Sequence, residues 1–204
     1  MVADEKVLWG SKVLIALYLC AYLLLVSFFL IERFVRQGKD TKNMSRTKHD
    51  KGSTTLISVV MGLEFIVIPL SPLINHWKVG VMSYLWVGIV GIIVGAIGLF
   101  IRYTAFITLG RFFSRTLREQ DEHQLVTTGI YKYIRHPGYL SDILIFFGAS
   151  LAMGNLIPII SVAVLFFVAY SYRIHVEEMM LVDMFGEKYT AYKKTSKRLI
   201  PFVF

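Results

Sequence analysis

The chain has 204 residues, of which 55% are hydrophobic, and its formal net charge is +8 at pH 7. This apolar share is high for a soluble protein and typical of a membrane protein. The basic residues do not alternate with aromatic residues as they do in nucleic-acid-binding modules, and the one cysteine, Cys20, excludes an intrachain disulfide and a cysteine metal cluster.

Long apolar runs with almost no charge organise the chain. The first three approach the ~20 residues that a helix needs to cross ~30 Å of hydrocarbon. The fourth, about 139–171, is too long for one crossing, and Gly154, Asn155 and Pro158 interrupt it, which predicts a tight helical hairpin. The predicted spans are residues 12–31, about 54–74, about 81–101, about 139–153 and about 157–171. We therefore predict an all-α integral membrane protein with five transmembrane helices in a single domain, residues 1–204.

The basic residues predict the orientation of these spans. Lys and Arg number seven in residues 32–53, six in 102–138 and six after residue 171, against two before or at the start of the first span and one in residues 75–80. By the positive-inside rule the three basic segments are cytoplasmic, with the N-terminus outside and the C-terminus inside. The membrane would be the endoplasmic reticulum in a eukaryote or the cell membrane in a prokaryote.

The segment 102–138 is too long to be a mere connection and is rich in aromatic and β-branched residues, so we expect it to fold against the membrane as part of a functional site. Pro137 suits the first turn of the fourth span, which places Arg135 and His136 at a helix N-terminus that favours an anion. The alternative is that Arg135 anchors the helix, His136 is an interface residue and Tyr139 belongs to an aromatic belt.

A second polar cluster follows the fifth span in YRIHVEEMML, residues 172–181. Arg173 and Glu177 are four residues apart and share a helix face, with Glu178 beside it. A solvated helix would have a similar pattern. The amphipathic stretch MMLVDMF that follows favours packing against the rest of the protein.

Three spaced motifs carry a family resemblance: LVTTGIY at 125–131, RHPGY at 135–139, and R-x3-EE-x2-L at 173–181 followed by FGEKYTAYKK. Together, over about residues 110–200, they resemble the isoprenylcysteine carboxyl methyltransferases and their relatives among the phospholipid methyltransferases. The resemblance implies a membrane enzyme that uses S-adenosylmethionine without a Rossmann domain. The sequence also has no G-x-G-x-x-G motif after a strand.

The resemblance also implies site residues, with the cofactor in a cytoplasmic pocket built from the 102–138 segment and the C-terminal tail. Arg173 and Glu177 would be catalytic, although Arg173 could instead contact the cofactor. The family often has glycine where this chain has Ser141. No metal is implied. The implied cofactor-binding residues are His123, Gln124, Leu125, Val126, Gly129, Tyr131, Arg135, His136, Pro137, Gly138, Tyr139, Arg173, Glu177 and Glu178.

The chemistry of these residues suits a zwitterionic methyl donor, which needs a cation for its carboxylate, carboxylates for its ammonium and apolar walls for its adenine. The implied acceptor is the carboxylate of a prenylated cysteine, which is already ionised and needs no general base. A phospholipid amine methyltransferase would share the motifs but would need a base. A sterol-reductase-like enzyme would use a nicotinamide cofactor, and a transporter would need more polar residues at mid-span.

Two features inside the spans remain open. Glu64 lies mid-span, where an ionised acid is costly, so it is either neutral and bonded to a neighbouring helix or lines the path of the acceptor. Gly88, Gly91, Gly95 and Gly98 form a small-residue face on the third span. We expect this face to pack inside a monomer rather than in a dimer.

Overall fold

The structure is a computed structural model that describes residues 2–36, 50–82, 84–109 and 125–199. These residues form helices joined by turns, which confirms the predicted all-α class. The helices are α1 (Val2–Arg36), α2 (Ser53–Val67), α3 (Ser71–His76), α4 (Leu85–Leu109), α5 (Pro137–Ala152), α6 (Leu156–Phe185) and α7 (Glu187–Thr195), with a short 3-10 helix at Gly129–Lys132.

Three of these helices are long and apolar enough to cross a membrane: the stretch Gly10–Arg33 of α1, and the whole of α4 and α6. α2 and α5 are also apolar but have 15 and 16 residues. Those lengths correspond to about 22–24 Å of helix against ~30 Å of hydrocarbon. The five-span count therefore stays a prediction.

The second predicted span, about 54–74, is wrong as one continuous helix. α2 ends before Pro69, and the separate short helix α3 begins soon after it, with Pro72 in its first turn. Proline has no N–H to donate and disfavours helical geometry in the residue before it. The carbonyl of Pro69 instead accepts a hydrogen bond from Tyr22 of α1 over 3.0 Å.

The third predicted span, about 81–101, is wrong at its start. The backbone before α4 pairs with the turn between α5 and α6. Met82 N donates to Gly154 O over 2.8 Å, and Leu156 N donates to Gly80 O over 2.8 Å. Because these groups bond across to another turn, α4 begins only at Leu85.

The third predicted span is also wrong at its end, because α4 continues through residues that we predicted as a loop. Arg102 lies inside the helix, and Glu32 and Asp142 pair with its guanidinium. A neutralised cation need not mark the end of an intramembrane helix. The helix extends to Leu109, and residues 110–124 lie outside the described residues.

The predicted hairpin between the fourth and fifth spans is confirmed by α5, α6 and the turn between them. Gly154 has φ +61°, and a Cβ at this position would lie 2.9 Å from Met82 O, so glycine suits the turn. Asn155 is fully buried, accepts from Ile157 N over 2.8 Å and donates to Asn75 Oδ1 over 2.7 Å. Asn155 thereby caps α6 and ties the turn to α3.

α6 is much longer than the predicted fifth span, 157–171. Its 30 residues make about 45 Å of helix, about 15 Å more than the hydrocarbon thickness. The polar segment at 172–181 therefore continues this helix. After Gly186 the chain folds back as α7, which buries the rings of Tyr189 and Tyr192.

Aromatic rings fill the core between α1, α2, α5 and α6. The rings of Phe28, Phe65 and Phe146 meet with centroids 5.2–6.0 Å apart. Phe166 packs against Phe146 at 5.1 Å, and Tyr170 packs edge-on against Phe166 at 5.3 Å. Tilted and edge-on contacts of this kind are the favoured arrangements of aromatic pairs.

The four glycines of α4 form two contact strips rather than one flat face. Gly88 and Gly95 approach leucines of α1, whereas Gly91 and Gly98 approach α5. A Cβ at Gly91 would lie 2.5 Å from Gly148 O, closer than real Cβ atoms approach. The expectation that these glycines pack within one chain is thus confirmed, and both strips hold α4 close to its neighbours.

The two ends of the bundle differ in chemistry. The ends of α1, α4 and α6 and the starts of α2 and α5 lie together at one end, where polar side chains link them. At the opposite end Trp77, Tyr84 and Trp86 are exposed, as aromatic residues at a membrane boundary often are.

Candidate functional site

Arg173 of α6 is 2% exposed, and residues of α2 and α5, together with Asp50 just before α2, contact its guanidinium. Its Nη1 donates to Asp50 Oδ1 over 2.9 Å, to Ser53 Oγ over 2.7 Å and to Thr54 Oγ1 over 2.9 Å. Its Nε donates to Tyr139 Oη over 3.0 Å. One guanidinium therefore joins the start of α2 to α5 and α6, and Asp50 neutralises its charge.

Sequence analysis missed Asp50, which also accepts from Ser53 Oγ over 2.9 Å and from Thr54 Oγ1 over 2.6 Å. Burial alone would raise the pKa of the Asp50 carboxyl, but these hydrogen bonds and the Arg173 guanidinium outweigh it and lower the pKa. The carboxyl is therefore ionised at neutral pH. An acidic residue before Ser53 and Thr54 is a helix-start signal that could have drawn attention to this position.

Tyr139 lies at the centre of the polar contacts. Its hydroxyl donates to Glu177 Oε2 over 2.6 Å while accepting from Arg173. Its ring stacks on His136, with centroids 5.5 Å apart and planes at 11°, and also contacts the ring of Tyr170 at 5.1 Å. One hydroxyl thus contacts both residues that the sequence marked as catalytic.

The two carboxylates at 177 and 178 have different surroundings. The side chain of Glu178 is 5% exposed and accepts from Arg135 Nε over 2.8 Å. The side chain of Glu177 keeps 23% exposure. His136 lies between them, with Nδ1 3.5 Å from Glu177 Oε2 and Nε2 3.5 Å from Glu178 Oε1. Glu178 is therefore neutralised inside the protein, whereas Glu177 is reachable from outside.

The segment after α7, residues 196–199, contacts the residues that precede α5. Arg135 N donates to Lys197 O over 2.7 Å, and His136 N donates to Arg198 O over 3.1 Å. The Arg135 guanidinium also donates to the carbonyls of Ser196 and Lys193. Arg135, just before α5, is thus bonded to α6 and to the chain at and after the end of α7. It is not a cation exposed at a helix N-terminus, as the sequence predicted.

We call the linked residues of this region the boundary network. They come from the segment just before α2, the start of α5 with the two residues before it, and the second half of α6. Each contacts the next through an ion pair, a hydrogen bond or a stacked ring. The boundary network consists of Asp50, Arg173, Tyr139, Glu177, His136, Glu178 and Arg135.

A second buried cluster, which sequence analysis also missed, joins α1, α4, α5 and α6. Arg102 forms ion pairs with both Glu32 and Asp142 and donates to Ser141 Oγ over 3.2 Å. Tyr170 donates to Asp142 Oδ2 over 2.7 Å. Ser141, where the family often has glycine, thus contributes a polar contact here. Charged residues inside an apolar run usually pair with one another, which is the signal that could have found this cluster.

The remaining predicted site residues divide by position. His123 and Gln124 lie outside the described residues. Leu125 and Val126 are half-buried in the connection that leads to the 3-10 helix. Tyr131 is buried, and its carbonyl accepts from the Tyr192 hydroxyl over 2.5 Å. Tyr131 therefore lies where α7 contacts the segment before α5.

The glycines and the proline of the predicted site have backbone roles. Gly129 has φ +57°, and a Cβ there would lie 2.8 Å from Thr108 Oγ1. Pro137 is the first residue of α5, as predicted. A Cβ at Gly138 would meet nothing within 4 Å, so the start of α5 borders open space.

Glu64 is fully buried, and its Oε1 accepts from Ser161 Oγ of α6 over 2.5 Å. The bond to a neighbouring helix is one of the two situations expected from the sequence. Within the part of the chain that the structure describes, no group of three His, Cys, Asp or Glu side chains could hold a metal ion.

Comparison with known proteins gives the family context. Residues 86–188 match the family model of phospholipid methyltransferases. Over 188 residues the chain is 28% identical to protein-S-isoprenylcysteine O-methyltransferase A of Arabidopsis thaliana, covering 89% of this chain and 91% of that protein. It is 26% identical over 162 residues to a probable protein-S-isoprenylcysteine O-methyltransferase of Oryza sativa, covering 76% of this chain and 85% of that protein.

A solved structure has a similar fold: that of a eukaryotic intramembrane Ras methyltransferase, an isoprenylcysteine carboxyl methyltransferase. The TM-score is 0.61 at 25% sequence identity, with 86% of this chain and 61% of that chain covered. The chain thus spans about three fifths of that structure. The apolar helices and this likeness identify the chain as an integral membrane protein.

Proposed function

The chain belongs to the phospholipid methyltransferase family, and from this premise we propose that it transfers a methyl group from S-adenosylmethionine to the carboxylate of a prenylated cysteine. The names of its plant relatives and of the solved structure support this choice of acceptor. The observation that carries the proposal is that Arg173 and Glu177 both contact the Tyr139 hydroxyl at the polar end of an apolar bundle. An acceptor site and a cofactor site can therefore adjoin there.

The residues present fit the cofactor. His136 Nε2, which lies 3.5 Å from Glu178 Oε1, and Tyr189 Oη are both buried. Tyr189 Oη makes no hydrogen bond to another described residue, and such an atom is usually satisfied by a ligand or water. Glu177 is partly exposed beside them and can accept from an ammonium. The open space at Gly138 lets a ligand approach the start of α5, where Tyr139 N and Leu140 N already donate to His136 O. When bound, S-adenosylmethionine supplies a methyl group on a positively charged sulfur.

We assign the other predicted positions by the same reasoning. Leu125, Val126 and Tyr131 would form an apolar wall for the adenine. His123 and Gln124, which the resemblance also implies as cofactor-binding, lie outside the described residues. Arg135 and Glu178 already form a buried ion pair, so we assign them to shaping the pocket, and Glu177 to contacting the cofactor.

Arg173 would orient the acceptor. Its charge lies near the polar end of α6, which at about 45 Å extends past the hydrocarbon. A prenyl chain could therefore remain among apolar helix faces while its cysteine carboxylate reaches the guanidinium. A carboxylate is ionised at neutral pH, so the protein needs only to exclude water and hold the oxygen in place.

We also propose that the polar end of the bundle faces the cytoplasm. The three basic segments flank helix ends that lie together there, and the positive-inside rule assigns them to that side. Single cysteines introduced at Lys78 and at Thr195, in a Cys20-free background, should react from opposite sides of the membrane. Labelling of both positions from the same side would contradict this topology.

Methyl transfer by purified protein tests the function. Wild type should methylate a farnesylated cysteine analogue and leave phosphatidylethanolamine unmodified, and Arg173→Ala should lose most of this activity while still binding S-adenosylhomocysteine. Lys132→Ala, which removes an exposed cation at the same end, is the matched control and should remain active. Methylation of phosphatidylethanolamine alone would replace the carboxylate acceptor by an amine lipid.

A further inference from the structure

Among the described residues, Tyr139 contacts both halves of the proposed site. Its hydroxyl donates to Glu177 Oε2 over 2.6 Å and accepts from Arg173 Nε over 3.0 Å. We propose that this hydroxyl couples the two binding steps, so that the cofactor strengthens acceptor binding and the acceptor strengthens cofactor binding. The inference rests on the proposed function, which places the cofactor ammonium at Glu177 and the acceptor carboxylate at Arg173.

The direction of the coupling follows from charge. Hydrogen bonds in a chain polarise one another, so an ionised Glu177 makes the Tyr139 oxygen a stronger acceptor for Arg173. An ammonium beside Glu177 takes up part of that negative charge. The Tyr139 hydroxyl is then less polarised and holds Arg173 less strongly. More of the guanidinium charge becomes available to an acceptor carboxylate.

Neighbouring side chains hold Tyr139, Glu177 and Arg173 in fixed positions relative to one another. The ring of Tyr139 contacts those of His136 and Tyr170, with centroids 5.5 and 5.1 Å away. Tyr170 is fixed in turn through its hydroxyl, which donates to Asp142 Oδ2 over 2.7 Å. Asp50 holds the far side of the guanidinium over 2.9 Å, so a change at Tyr139 reaches Arg173 directly.

Coupling of this kind must be reciprocal, and it has a readout that does not depend on catalysis. The dissociation constant of S-adenosylhomocysteine would be measured calorimetrically on the full chain in detergent, with and without a saturating farnesylated cysteine analogue. In wild type the analogue should tighten S-adenosylhomocysteine binding by at least about fivefold, the lower end of usual coupling factors.

Tyr139→Phe removes the hydroxyl and keeps the ring, so the coupling factor should fall at least about threefold towards one. Tyr22→Phe is the matched control, because it removes a tyrosine hydroxyl that donates to the carbonyl of Pro69 at the other end of the bundle. Its coupling factor should equal that of wild type. An equal factor in Tyr139→Phe, or no coupling in wild type, would overturn the inference.

A second variant keeps the test decisive if Tyr139→Phe does not fold. Glu177→Gln removes the charge that polarises Tyr139, so without cofactor it should bind the analogue at least about threefold more tightly than wild type. Unchanged or weaker binding would contradict the inference. Methyl transfer by wild type to the same analogue, measured in parallel, tests the proposed function separately, because an active enzyme without coupling would refute only the role of Tyr139.

Discussion

Arg173 and Asp50 form a buried ion pair between positions 123 residues apart, with Arg173 Nη1 2.9 Å from Asp50 Oδ1. The pair ties the residues that precede α2 to the polar end of α6. A single arginine in a polar pocket could adopt many rotamers, but Asp50 and Tyr139 hold this one from two sides. Asp50 is therefore a positioning residue for the proposed acceptor site.

Asp50→Ala should destabilise the protein. It leaves the buried Arg173 without its carboxylate partner, a change that typically costs about 3–5 kcal/mol. Thermal unfolding in detergent measures the effect. Asp183→Ala removes an exposed carboxylate from the same helix as Arg173 and should leave the unfolding temperature almost unchanged. Equal effects of the two substitutions would mean that Asp50 contributes no more than a surface charge.

The ion pair should also resist mild acid. The pKa of the Asp50 carboxyl is lower in the folded protein than its ordinary value, so its contribution to stability is present above the unfolded pKa of about 3.9 and is lost as the pH falls through the lower folded pKa. The difference in unfolding temperature between wild type and Asp50→Asn should stay constant from about pH 8 to 5 and shrink below about pH 4. A difference that disappears between pH 7 and 5 would show the opposite pKa shift.

Arg102→Met should be among the most destabilising substitutions in the described residues. It leaves the carboxylates of Glu32 and Asp142 buried without their shared cation, at a cost of about 3–5 kcal/mol. Replacing both acids by leucine in the same variant should recover much of the loss, since a well-packed apolar cluster is often as stable as an ionic one. Unfolding temperatures of the single and triple variants would be compared, and no recovery would point to packing of the arginine stem instead.

The helices could be predicted from the sequence because an apolar run is a local property, and the hairpin at Gly154 and Asn155 followed from local turn chemistry. The limits of the spans could not be predicted as well. The end of α4 depends on Glu32 and Asp142, 70 positions before and 40 positions after Arg102, so a charge that seemed to end a span is neutralised from elsewhere.

The site shows the same division between local and long-range information. The structure brings together Arg135, Tyr139 and Arg173, which the motifs marked, and their role as a site stays a prediction. Their detailed contacts depend on the tail and on Asp50. Arg135 was expected to bind an anionic ligand. In the structure it contacts Glu178 and the carbonyls of Lys193 and Ser196 instead. No local pattern identifies Asp50 as the partner of Arg173.

The glycines of the bundle allow a comparison of one substitution in two settings. At Gly91 of α4 an added Cβ would lie 2.5 Å from Gly148 O and 2.7 Å from Ala152 N, whereas at Gly62 of α2 it would meet nothing within 4 Å. Gly91→Ala should therefore force α4 and α5 apart and destabilise the protein by about 1–3 kcal/mol, as overpacking does.

Gly62→Ala is the matched control, because it makes the same chemical change in another apolar helix. It should be neutral or stabilise the protein by about 0.5–1 kcal/mol, since alanine loses less conformational freedom in a helix than glycine does. Thermal unfolding of the two variants in the same detergent checks both expectations. If Gly91→Ala unfolded at the temperature of Gly62→Ala, the close approach of α4 to α5 would be absent in the folded protein, and the two glycine strips would not determine how these helices pack.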